Sequence, residues 1–338
     1  MKFTIMKSRI STFSLFFAAF FSFSNLLAQD FTKTSEKYMF PRREFNKDLM
    51  LHFKNTKTVF FYRNYNKKQV DTLKQVLSSV WDLTPLIFDD IENADKYIDN
   101  PKYSYFTIET EFFSNHGEGT GDITHLYSYI ALRLFDDETK KGKLSQGLAR
   151  IELYPNNNTR ELINDENFNR HHITVLDLYE KGMFYNWSFT LLKAQVGVIC
   201  TNLKQNLRPA VFDEVFCDEH LTQQLSNDTL YVPERVISTI VDRSIHWLKV
   251  TVNTSGMDKE APRKDNVFEK YKHPYRVCSD QELFDIFQTQ KRGRFLFEYS
   301  RNANMRFITF YDMKNNSIVY KRYFTEGHNL ESKDLEKL

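Results

Sequence analysis

The sequence predicts a mixed α+β protein built from two tandem β-α-β-α-β-β modules joined by a helical connector. Three observations predict it. Short apolar runs of period two alternate with stretches of helical period. Glycine and proline are few, 10 and 8 of 338 residues, which leaves little room for linkers or low-complexity sequence. The pattern of the first half also recurs in the C-terminal third. Aromatic residues make up 15% of the chain, and much of that content falls in the short alternating runs, as in strands with one buried face.

The chain opens with a segment of its own kind. Lys2, Lys7 and Arg9 precede an apolar run from Phe13 to Phe23, and Leu26 and Ala28 then mark a small-residue cleavage site. The run is too short, and too soon followed by polar sequence, for a membrane span. Residues 1–28 therefore read as a cleaved signal peptide, with Gln29 as the mature N-terminus and the periplasm, or the exterior, as the destination. No cysteine stands near the site to carry a lipid, and no later run suits a transmembrane span. Loss of Lys2, Lys7 and Arg9 takes the 46 basic residues to 43 against 44 acidic, turning a formal charge of +2 into about −1. A nearly neutral surface gives no electrostatic footprint for nucleic acid. Cys200, Cys217 and Cys278 allow one internal disulfide at most, and their pairing is open; no Cys-x-x-Cys occurs.

About 310 mature residues exceed what one core usually serves. The first module spans residues 29–155. Thr58 to Tyr62 reads as a strand; Val70, Leu73, Leu77 and Val80 give an amphipathic helix from Asn66 to Trp81. A strand at Leu86 to Phe88 and a short helix from Ala94 to Ile98 follow, closed by Asn100-Pro101. Strands come next at Tyr103 to Thr110, Leu126 to Phe135 and Ala149 to Tyr154, with Asp136 to Lys140 as a polar turn. Residues 156–225 form the connector: a polar stretch, Asn156 to His172, then an apolar helix from Phe184 to Leu207. Trp187, Leu191, Leu192, Val196, Ile199 and Leu203 crowd one side of it, as a helix buried between two domains requires. Its polar face has too little lysine and arginine for a membrane-surface helix.

The second module spans residues 226–338. Sliding Pro85 onto Pro274 without gaps sets Phe88 on Val277, Ala94 on Leu283, Ile98 on Phe287, Phe106 on Phe295 and Ile108 on Phe297. Thr229 to Val232 would be its first strand, and Glu234 to Lys272 an insertion. Ser279-Asp280-Gln281-Glu282 is a capping box opening the short helix. Strands follow at Arg294 to Tyr299, Arg306 to Tyr311 and Ser317 to Phe324, with Asp312 leading the last turn.

The order β-α-β-α-β-β, ending in a strand, an aspartate-led turn and another strand as at Phe307 to Asp312 and Ile318 to Tyr320, resembles the anticodon-binding-like modules of bacterial envelope proteins such as the N-terminal domain of TolB. The whole chain, from Leu26-Leu27-Ala28-Gln29 to Leu335-Glu336-Lys337-Leu338, is also similar to uncharacterised exported proteins of Bacteroidetes-type bacteria. The resemblance implies a docking or assembly role in the envelope and brings no catalytic residues.

Candidate chemistry is sparse. His116, Glu118, Asp122 and His125 place two imidazoles and two carboxylates within ten residues, a donor set for a divalent metal, and Gly117, Gly119 and Gly121 would let the backbone wrap an ion. The competing reading is a polar turn between two strands. His171-His172 are adjacent and so diverge on any regular element. Asp89-Asp90 and Asp136-Asp137-Glu138 suggest the paired carboxylates of glycoside hydrolysis, but both fall where strands end. No nucleophile elbow and no His-Glu-x-x-His helix occurs. The expected function is thus a non-catalytic exported envelope protein that binds an envelope partner or a second copy of itself, without a cofactor. The alternative is an exported hydrolase or metal-dependent enzyme using the 116–125 loop.

Overall fold

The computed structural model describes residues 47–62, 67–117, 120–135, 146–154, 184–207, 215–217, 223–235, 239–240, 261–262, 266–302, 305–324 and 330–336; of 110–117, 120–128, 146, 215–217, 239–240, 261–262, 301–302, 305 and 323–324 it describes the backbone alone. The expected signal peptide, Glu118, the Asp136 to Lys140 turn and His171-His172 lie outside these residues. The described elements form a mixed α+β fold with two principal sheets, both within one compact unit.

The first sheet follows helix α1 (Lys47–Lys54) and contains β1 (Lys57–Tyr62), helix α2 (Lys67–Ser78), β2 (Leu86–Asp90), a 3₁₀ turn (Ile91–Lys96), β3 (Tyr103–Gly117), β4 (Thr120–Leu134) and β5 (Gln146–Glu152). Its order is β2-β1-β3-β4-β5, with β1 parallel to both neighbours and the β3/β4 and β4/β5 pairs antiparallel. β1 is covered on both faces, which is why its sequence is a continuous apolar run. Phe60 packs with Met50, Phe53, Leu73 and Trp81 under α1 and α2, while Val59 and Phe61 meet Ile91, Ala94 and Tyr105 on the other face. At the start of β1, Thr58 shares hydrogen bonds with Thr84 at 2.5 Å and Ser104 at 2.7 Å, so the buried hydroxyls satisfy one another.

Helix α3 (Phe189–Lys204) and β6 (Val215–Cys217) precede the rest of the second sheet. That sheet adds β7 (Leu230–Pro233), β10 (Tyr275–Cys278), β11 (Phe295–Asn302), β12 (Met305–Asp312) and β13 (Ser317–Phe324). Between β7 and β10 lies a small ladder of β8 (Thr239–Ile240) and β9 (Ala261–Pro262), and between β10 and β11 a helix α4 (Asp280–Phe284) that runs into a π turn (Asp285–Thr289). Ser279 and Glu282 form the expected capping box at the start of α4. The order is β10-β7-β11-β12-β13-β6. β6 adds a strand to 156–225 that the reading of a polar stretch and one apolar helix did not include: three residues are too few to show a period, and they form a strand by pairing with the edge of β13.

β6 aside, the two sheets share one strand order and one succession of parallel and antiparallel pairs. The amide of Thr58 donates to Pro85 O at 2.9 Å and that of Leu230 to Pro274 O at 3.0 Å, so the two prolines hold equivalent places. The gapless alignment fails further on. Thr58 pairs with Leu86 and Ser104, and Leu230 with Tyr275 and Phe295. Ser104, not Phe106, therefore corresponds to Phe295, and Phe106 to Phe297. The second module has two more residues between these strands, in the stretch that carries the wider π turn.

The insertion has a structural part to play. Its Phe268, with Val267 and Tyr271, packs on Phe297, on the face that α2 covers in the first sheet. Helix α3 lies between the cores. Phe189, Leu192, Val196, Ile199 and Leu203 join the core of the first sheet, while Leu191, Ala194 and Val198 pack with Leu283, Ile286, Leu296 and Tyr311 of the second. Leu191 and Leu192, expected on one side, are divided between the two. An added Cβ at Gly197 would sit 2.6 Å from the Asn316 side-chain oxygen, so the absent side chain lets the β12–β13 turn approach the helix.

Candidate functional site

Two places stand out: the β3–β4 hairpin and the junction beneath α3. β1 pairs with β3 only from Tyr103 to Phe106, and β5 reaches β4 no further than Tyr129. The β3–β4 ladder continues past the Glu109–Tyr129 pair to Gly117–Thr120. Over that outer part the ribbon pairs only with itself among the described residues, for about 27 Å at strand rise. A two-stranded ribbon is marginally stable alone. Its sequence includes Phe112, Phe113, Ile123, Leu126 and Tyr127.

The candidate metal ligands belong to this arm. His116 is on β3, Asp122 and His125 are on β4, and Glu118 lies outside the described residues. The expected strands, ending at Thr110 and starting at Leu126, are thus lengthened on both sides, and most of the glycine-rich loop is strand. Among the described side chains no group of three His, Cys, Asp or Glu could hold a metal; those of 110–128 are not among them.

Of the remaining carboxylate candidates, Asp136, Asp137 and Glu138 lie outside the described residues, and Asp89 and Asp90 serve the fold. Asp90 caps the 3₁₀ turn by accepting from Glu92 N at 3.0 Å. Asp89 accepts from Tyr97 Oη at 2.5 Å, Asn93 Nδ2 at 2.9 Å and Asp90 N at 2.7 Å. Burial raises the Asp89 carboxyl, but these donors outweigh it and leave it below the usual range; the same contact pushes Tyr97 up to about 12. Cys200 and Cys278 are free thiols, both raised by burial, Cys200 to about 11. A thiol so shifted is a poor nucleophile at neutral pH.

The junction was not legible as a site. The turn before α3 is tied to the end of β5, with Tyr154 N donating to Asn186 Oδ1 at 2.6 Å and Asn186 Nδ2 to Glu152 O at 2.7 Å. Asn186 Nδ2 also donates to Glu298 Oε1 at 2.8 Å, and Gln195 Nε2 of α3 to the same oxygen at 2.6 Å. The Tyr311 hydroxyl meets Glu298 Oε2. Glu298 is 4% exposed, and burial raises its carboxyl above the usual range despite these donors. Burial, with the facing carboxylate, likewise raises Tyr311. The available signal was one glutamate in the apolar run Phe295 to Tyr299, in phase with inward-facing Leu296.

No family model, no curated protein and no solved structure matches the chain. Among the described residues no helix is long and apolar enough to cross a membrane.

Proposed function

We propose that this is an exported, non-catalytic cell-envelope protein that binds an envelope protein, or a second copy of itself, through the β3–β4 arm. The observation that carries the reading is the outer ladder from Thr110–Ser128 to Gly117–Thr120, beyond the reach of β1 and β5. Such a ribbon offers backbone donors and acceptors on both edges, the means by which one chain adds a strand to another. Phe112, Phe113, Ile123, Leu126 and Tyr127 give it more apolar sequence than an ornamental loop needs. The chemically suggestive carboxylates Asp89 and Asp90 are committed to capping and turning the chain, which favours binding over catalysis. The basic and apolar opening of residues 1–28 and the resemblance to envelope modules support the compartment. The shared strand order of the two sheets supports origin as a tandem repeat.

The test shortens the arm while keeping its root. Residues 111–127 are replaced by Asn-Gly, joining the paired Thr110 and Ser128 through a two-residue hairpin turn. Crosslinked capture from the native envelope should lose a specific partner or self-association while the thermal midpoint is kept. Unchanged capture would remove the arm from the function. Stoichiometric metal in the purified full-length protein, lost on His116→Ala with His125→Ala, would favour the enzyme reading instead.

A further inference from the structure

We propose that Glu298 is a proton-dependent joint between the two sheets, docking as the neutral acid and loosening the junction when it ionises. The group sits where four elements meet: β11 carries it, the Asn186 turn is fastened to the end of β5, Gln195 comes from α3 and Tyr311 from β12. All four side chains are buried, from 0% exposed at Asn186 to 7% at Gln195. The three partners of the carboxyl are two neutral amides and a phenol. The titratable or charged groups that act on it are Tyr311 at contact and Lys321 of β13 through space.

The neutral acid fits this nest. Its carbonyl oxygen Oε1 has two lone pairs and receives the two amide N–H groups, while an Oε2–H donates to Tyr311 Oη. Ionisation reverses the last bond, so that Tyr311 donates, and leaves a full charge without a cation in hydrogen-bond contact among these partners. A carboxylate withdrawn from water carries a penalty of several kcal/mol unless it is well compensated. With the folded-state pKa raised by burial, the stabilisation is complete below the unfolded value of about 4.3 and is lost as pH rises through the folded value.

Glu298→Gln tests this, since its oxygen can accept both amides and its NH₂ can donate to Tyr311. Unfolding midpoints of the wild type and the variant are compared from pH 4 to pH 9. The variant should gain on the wild type as pH rises, up to tenfold in folding constant per pH unit, until the folded pKa is passed. Amide exchange at Asn186 and Gln195, corrected for intrinsic pH dependence, should quicken with pH in the wild type alone. Parallel stability profiles would overturn the proposal. If the variant does not fold, carbon-detected titration of labelled glutamate in the wild type decides: a Glu298 carboxyl already ionised near pH 4.5 overturns it, and one still protonated near neutrality supports it.

Discussion

At the scale of single residues, the buried polar groups divide into those that local sequence explains and those that it does not. Asp312 accepts from Lys314 N, Asn315 N and Asn315 Nδ2, all within three residues, and its turn was legible for that reason. Glu298 was not, because its amide partners lie 112 and 103 residues away. Arg306 and Asp334 form another such pair at 2.9 Å, each side chain 5% exposed, holding the 3₁₀ turn Ser332–Asp334 against β12. Asp334→Ala removes this buried ion pair and should cost about 1.5–3 kcal/mol in urea unfolding. Gly197→Ala drives a methyl group into Asn316 and should cost about 1–3 kcal/mol. Asn316 has φ near 50°, a conformation glycine adopts freely, so adding Asn316→Gly should restore most of that loss by removing the obstructing side chain.

At the scale of elements, α3 was visible from its apolar density, but its division between two cores was not. A helix buried on several sides has no single stripe from which to infer a partner. Leu192 is fully buried in the first core and Leu191 is 1% exposed in the second. Each replaced by alanine should lower stability by about 2–5 kcal/mol, measured by chemical denaturation. Leu192→Ala should speed amide exchange chiefly in β1 and α2, and Leu191→Ala in α4 and β11. The strand at Ser317–Phe324 was read with its observed ends because turn residues bound it. The β3–β4 arm was cut short because Ser114-Asn115-His116-Gly117 reads as a loop, and cross-strand pairing, not local propensity, extends the ladder through it.

At the scale of the whole molecule, the order common to the two sheets was legible as a pattern, while the two-residue offset from β11 onward was not. Pattern matching does not see register, which the parallel partners of β1 and β7 determine. Because α3 belongs to both cores, unfolding should be one cooperative event: in a Trp247→Phe variant, tryptophan fluorescence, which then reports Trp81 and Trp187 of the first core, should share its midpoint with far-ultraviolet circular dichroism. Separate midpoints would mean that the two cores unfold independently. The parallel pairs also set an order of assembly. β1 finds β2 across 24 intervening steps of chain, from Tyr62 to Leu86, whereas β7 waits 42, from Pro233 to Tyr275. The longer closure costs only about 0.5 kcal/mol more, but for a chain that emerges N-terminus first the difference is measured in time. The first sheet and the inner flank of α3 can settle while β10 has yet to emerge, and the chain then carries the bare flank of α3 as a template on which the second half comes to rest.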